Sequence, residues 1–81
     1  MLAYKDKSGT SGVLAYEVRG DQMYVIFKTE PEAIYVYNDM KPGKRHVEEM
    51  KKLAVNGRGL STYISVNVRG NFANKLEPQH K

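Results

Sequence analysis

The chain contains no cysteine, so it has neither a disulfide nor a thiolate metal site. Its two histidines, His46 and His80, lie far apart, and no His or Cys cluster has metal-ligand spacing. Long apolar runs are also missing: none approaches the ~20 residues a membrane-spanning helix needs. The opening "MLAYKDKSG" turns charged after four residues and has no apolar h-region of the kind a signal peptide requires. A soluble, cytoplasmic protein with no membrane contact is expected. Ser8, Ser11, Ser61 and Ser65 stand in no G-x-S-x-G setting, and no base accompanies them. Gly57-Arg58-Gly59 has no feeding strand and no third glycine at dinucleotide spacing, so it reads as a helix cap and turn. With no positioned acid, base or nucleophile, the chain is not expected to be an enzyme or to carry a cofactor.

What is present is one small domain of 81 residues, 41% hydrophobic and 27% charged, a globular rather than a disordered composition. A chain of this length buries only about 60–65% of its unfolded surface, so its stability should be modest. The net charge of +4 is unevenly spread. Residues 1–40 sum to −2, residues 41–75 to +6, and the last six residues balance. Such asymmetry suits a polyanionic partner, although a basic solvated helix accounts for it equally.

"KSGTSG" is small and polar, so residues 1–12 read as a flexible lead-in. From Val13 the apolar residues alternate. A two-residue loop at Gly20-Asp21 would pair Val18 with Met23, Tyr16 with Val25 and Leu14 with Phe27 on one face. The opposite face would hold Glu17 beside Tyr24, Ala15 beside Ile26 and Val13 beside Lys28. "TEPE" reads as the next turn, with Pro31 unable to donate to a ladder. Pairing Lys28 with Ala33 then places Ile34 and Val36 on the core face, and Tyr35 and Tyr37 on the far face with Tyr24 and Ile26.

The period then lengthens. Val47, Met50, Leu53 and Ala54 fall at helical spacing, and Asn56-Gly57 makes a good stop. Glu48 and Lys52 form an i, i+4 pair in the favourable order. Pro42 is tolerated only in a first turn, which predicts a helix start between Met40 and Gly43, with His46 on the helix surface. The segment from Leu60 to Phe72 satisfies two patterns. Leu60, Ile64, Val68 and Phe72 are spaced by four, while Thr62, Ile64, Val66 and Val68 alternate and are β-branched. The predicted core is Leu14, Tyr16, Val18, Val25, Phe27, Ile34 and Val36 packed on Val47, Met50, Leu53 and Ala54.

A meander with Tyr35-Val36-Tyr37 at its centre, Leu14-Ala15-Tyr16 opening the first strand, Phe27 late in the second, and "GRGLSTYI" followed by Val68-Arg69 resembles the KTSC domain. This small domain occurs at the C-terminus of some lysyl-tRNA synthetases and as a lone bacterial protein. The likeness spans about residues 10–73; "KPGKRH" departs from the family's shorter Val-Pro approach to the helix. It implies an α+β fold, a three-stranded antiparallel meander followed by a helix and a second short helix (β-β-β-α-α), and so tips residues 61–69 toward helix. The domain would run over residues 13–75, with a polar tail at 76–81. No molecular function is established for the family. RNA binding has been suggested from the synthetase association, which is an analogy.

Three readings of the tyrosine face follow. Tyr24, Tyr35 and Tyr37 on the free side of an antiparallel sheet could stack unpaired bases of single-stranded RNA, with Arg19, Arg58 and Arg69 at phosphates. The same face could dock another protein or a peptide, since tyrosine suits interfaces. Or it could be covered, by the chain's own last helix or by a second copy.

Overall fold

A computed structural model describes residues 2–3, 12–68 and 70–77. The elements are β1 (Leu2–Ala3), β2 (Val13–Arg19), β3 (Gln22–Phe27), β4 (Glu30–Tyr37), α1 (Lys44–Asn56), α2 (Leu60–Tyr63) continuing into a π-helical turn (Ile64–Val68), and β5 (Asn74–Leu76). The strands form one antiparallel sheet in the order β1-β2-β3-β4-β5. The fold is α+β, with the expected β2-β3-β4 meander and two following helices. It gains a short strand at each edge. Leu2–Ala3, within the expected lead-in, pairs with Ala15 and Tyr16. Leu76, at the start of the expected tail, pairs with Ile34. The rest of the lead-in up to Ser11, and residues 78–81, lie outside the described residues.

The first hairpin keeps its expected register from Arg19–Gln22 through Ala15–Ile26. Gly20 takes φ 58 with Asp21 on the negative side, the II′ pattern that matches strand twist. Beyond Ala15 a bulge shifts the pairing, so that Val13 rather than Leu14 lies opposite Phe27. Val13 is consequently buried and Leu14 is 44% exposed.

The second hairpin corrects the expected register. The turn is Lys28-Thr29, and Phe27 pairs with Glu30. The ladder resumes only at Val25–Tyr35, so four residues of β4 (31–34) face Ile26 alone. Pro31 lies in this bulge; without an N–H it cannot fill a central ladder position. The continuing pairs are Tyr24–Val36 and Met23–Tyr37, one residue away from the expected Val25–Val36 and Tyr24–Tyr37. A one-residue slip exchanges the faces of a strand. Tyr35 and Tyr37 therefore join Met23 and Val25 on the helix side, while Ile34 and Val36 join Tyr24 on the other.

The core consists of Val13, Met23, Val25 and Tyr37 from the sheet against Val47, Met50, Ala54, Leu60, Ile64 and Val68 from the helices. Of the expected core, Val25, Val36, Val47, Met50 and Ala54 are buried, Val36 from the other sheet face, and Tyr16, Phe27 and Leu53 pack partly against the helix-side cluster. Leu14 and Val18 are exposed.

Helix α1 begins at Lys44, after an N-cap at Gly43, so Pro42 precedes the helix instead of occupying its first turn. It ends as expected: Gly57 adopts the left-handed conformation at φ 74, and its N–H donates to Leu53 O and Ala54 O. Glu48 pairs with Lys51 at 3.0 Å, one residue short of the expected Lys52, and Lys51 Nζ also donates to Gly20 O at 3.0 Å. That contact ties α1 to the first hairpin. His46 is half-buried, its Nδ1 lying 2.7 Å from Tyr63 Oη, which joins α1 to α2. The ambiguous Leu60–Phe72 segment is helical through Val68, and its four-residue spacing supplies three buried side chains, Leu60, Ile64 and Val68. Among the described residues, no helix is long and apolar enough to cross a membrane.

Candidate binding pocket

The expected tyrosine platform is not assembled. Of the three tyrosines, Tyr24 is the one on the outer sheet face, opposite Glu17, with the Arg19 guanidinium 5.7 Å from its ring centre. Arg19 is itself hydrogen-bonded to Glu17, and this contact holds the Glu17 carboxyl below its usual pKa. Arg58 is exposed in the loop between α1 and α2. Arg69 lies outside the described residues. Tyr35 and Tyr37 sit on the helix side. The five candidates among the described residues thus form no common surface: Arg19 with Tyr24 make one cluster and Tyr35 with Tyr37 another.

The second cluster lies in a pocket of about 450 Å³ between the sheet and the π-helical turn. Phe27, Thr29 and Glu30 come from the second hairpin, and Tyr35 and Tyr37 from β4. Ile64 and Ser65 come from the π turn, and Gly70 and Phe72 from the connection to β5. Local irregularities create the space. The β4 bulge throws the Glu30 end of the strand out of step with Tyr35. The π turn widens the helix at Ile64 and Ser65, which line the pocket. Bulges and π turns both occur preferentially beside functional sites.

The walls are aromatic. Tyr35 meets Phe27 edge-on, with ring centres 5.1 Å apart, and meets Phe72 at 4.9 Å. Tyr37 meets Phe72 at 6.5 Å, again edge-on. Such contacts let the positive edge of one ring face the negative face of the next. At the rim, Tyr35 Oη donates to Glu30 Oε1 at 2.7 Å, and Lys75 Nζ pairs with Glu30 Oε2 at 2.7 Å. Lys75 Nζ also stands 5.3 Å from the Tyr35 ring centre. These contacts explain the titration directions. The hydrogen bond from Lys75, then that from Tyr35, lowers the Glu30 pKa. The Glu30 carboxylate raises those of Tyr35 and Lys75.

Tyr37 is different. It is 2% exposed, and among the described residues its hydroxyl has no hydrogen-bond partner. Burial pushes its pKa far up, and the neighbouring Tyr35 hydroxyl adds to the effect. Buried polar groups in folded proteins are nearly always paired, and leaving one unpaired costs about 1–3 kcal/mol. Tyr37 is one of the residues that line the cavity, and a guest that reached its hydroxyl would relieve that cost.

Sequence reasoning missed Glu30, Lys75, Thr29, Ser65 and Phe72 as site residues. Phe72 was visible as the last member of the four-residue spacing. Glu30 and Lys75 meet only because β5 pairs with β4, and a three-residue strand carries no periodic signal. Among the described residues, no group of three or more His, Cys, Asp or Glu could hold a metal ion. No family model, no curated protein and no solved structure significantly matches the chain.

Proposed function

We propose that the chain is a non-catalytic binding domain whose ligand enters the pocket between β4 and the π turn. The observation that carries this reading is an aromatic cavity lined by Phe27, Tyr35, Tyr37 and Phe72, to which the buried Tyr37 brings an unpaired hydroxyl. The volume falls within the ~300–1,000 Å³ of ordinary ligand pockets, and the mix of apolar walls with a few polar atoms is the usual one. The directions of titration favour binding over catalysis. A general acid or base works best with its pKa near the working pH. Glu30 is shifted down, and Tyr35, Tyr37 and Lys75 up, all away from neutrality.

Membership of the KTSC domain is part of the proposal. It is supported by Tyr35-Val36-Tyr37 and by the β-β-β-α-α order at the centre of the fold. RNA remains a source of ligand within it, since Lys44, Arg45, Lys52 and Arg58 are exposed on the helical half. The site for an RNA base is then the pocket and not the open sheet.

Protein-observed NMR with a panel of aromatic, aliphatic and charged fragments tests the reading. Shifts centred on Phe27, Tyr35, Ile64 and Phe72 are expected. Fragments that perturb only the outer face, at Tyr24, Ile26 and Ile34, would refute it.

A further inference from the structure

The pocket's chemistry narrows its ligand, on the premise that this cavity is the binding site. We infer that the pocket takes an uncharged, planar heteroaromatic ring, a nucleobase, with one polar edge atom hydrogen-bonded to the Tyr37 hydroxyl.

Three features lead there. The first is shape and polarisation. Tyr35 stands at 77° to Phe27 and 88° to Phe72. A flat guest lying against one of these rings therefore meets the edges of the others, which is the arrangement π systems prefer. The second is charge. The Glu30 carboxylate is paired with Lys75 at 2.7 Å, and Glu77 stands 3.8 Å from the same ammonium, so the rim holds its charges in ion pairs and has no ammonium left over for an anionic guest. The position over the Tyr35 ring where a cation would bind already holds the Lys75 ammonium, 5.3 Å from the ring centre. The third is the single buried hydroxyl. An aliphatic guest would leave it unpaired, at the cost of a buried unsatisfied group. A ring with a carbonyl, ring nitrogen or amino group on its edge satisfies it, because a tyrosine hydroxyl both donates and accepts. Neutral nucleobases combine flat faces with such edges, and every base has a face for stacking on an aromatic side chain.

A free nucleoside and an unpaired base of single-stranded RNA present the same chemistry, and titration distinguishes them. Uridine, cytidine, adenosine and guanosine are titrated by NMR into the protein and into its Tyr37→Phe and Tyr24→Ala variants, beside tetramethylammonium and cyclohexanol. At least one nucleoside is expected to shift Phe27, Tyr35 and Phe72. Tyr37→Phe, which keeps the ring and the packing, should weaken that nucleoside about tenfold, the worth of one hydrogen bond. Tyr24→Ala should leave it unchanged. A short single-stranded RNA is titrated at several salt concentrations. Tighter binding than the nucleoside, with a log–log salt slope near −0.7 per neutralised phosphate, identifies RNA as the source. Equal, salt-independent affinity identifies the free nucleoside. Pocket shifts from tetramethylammonium or cyclohexanol with none from any nucleoside overturn the inference while leaving the pocket as a binding site. Silence from every probe overturns both. Nucleoside or RNA binding that survives Tyr37→Phe but is lost in Tyr24→Ala overturns the inference by placing the base on the outer face.

Discussion

Tyr37 lies across the ladder from Met23, and both side chains are closed off from solvent beneath the helices, at 2% and 0% exposure. The tyrosine ring is thus core, while its hydroxyl remains unpaired among the described residues. Removing the hydroxyl alone relieves an unsatisfied polar group. Tyr37→Phe should therefore raise the stability of the free protein, by about 1 kcal/mol. Tyr37→Ala should lower it by about 3–5 kcal/mol, because the ring's cavity remains. Urea midpoints of the three proteins check both. A Tyr37→Phe variant less stable than the parent would mean that the hydroxyl has a partner after all.

The register of the first hairpin was legible because its loop is two residues long and Gly20 marks it. Alternation then fixed five pairs correctly. The second hairpin was not legible for a definite reason. "TEPE" allows a turn at either end, and both faces of Ile34-Tyr35-Val36-Tyr37 are apolar, so pattern could not choose between two registers one residue apart. The helices decide, by covering the face that carries the two larger side chains. In the helical half, the Leu60-Ile64-Val68 spacing and the Gly57 stop were both readable. The pocket was not, since a bulge, a π turn and a three-residue edge strand leave no period in the sequence.

Acid should act on the pocket rim. The folded-state pKa of Glu30 is depressed, first by Lys75 and then by Tyr35. A depressed carboxylate contributes stability above its unfolded pKa, and the contribution disappears as pH falls through the folded value. Stability should therefore hold from neutrality down to the ordinary carboxylate range near 4.5 and decline below it. Glu30→Gln should flatten part of that decline without abolishing it, because Glu17 and Glu48 are depressed by Arg19 and Lys51. At the alkaline end the signs reverse. Tyr35 and Lys75 have raised folded pKa values, so their contribution is complete below the unfolded values and falls away above them. Urea midpoints of the parent and Glu30→Gln across pH 3–7 are the measurement. Parallel profiles for the two would show that the rim network is not coupled to folding.

The two helices are held by a polar contact as well as by apolar packing. His46 Nδ1 and Tyr63 Oη approach to 2.7 Å, with ring centres 5.8 Å apart. Tyr63→Phe should destabilise by about 0.5–1.5 kcal/mol, the net worth of one such bond. A double-mutant cycle with His46→Ala should return a coupling energy in the same range, because residues in direct contact do not add independently. Independent effects would place the contact outside the folded ensemble that governs stability.

The β2 bulge gives the sharpest test of the corrected core. In an unbroken ladder Leu14 would face the helices opposite Phe27, and truncating it would cost about 2–5 kcal/mol. With the bulge, Val13 takes that place at 1% exposure and Leu14 turns outward at 44%. Leu14→Ala should then cost less than about 1 kcal/mol, as for substitutions away from packed sites. Val13→Ala should cost about 2 kcal/mol, from the methyl groups removed and the void they leave. The order of the two is the decisive result. It inverts the simple alternation of Leu14, Tyr16 and Val18, and it holds only if the strand carries its extra residue between Val13 and Ala15. A Leu14→Ala variant more damaging than Val13→Ala would restore the regular ladder and return Leu14 to the helix side.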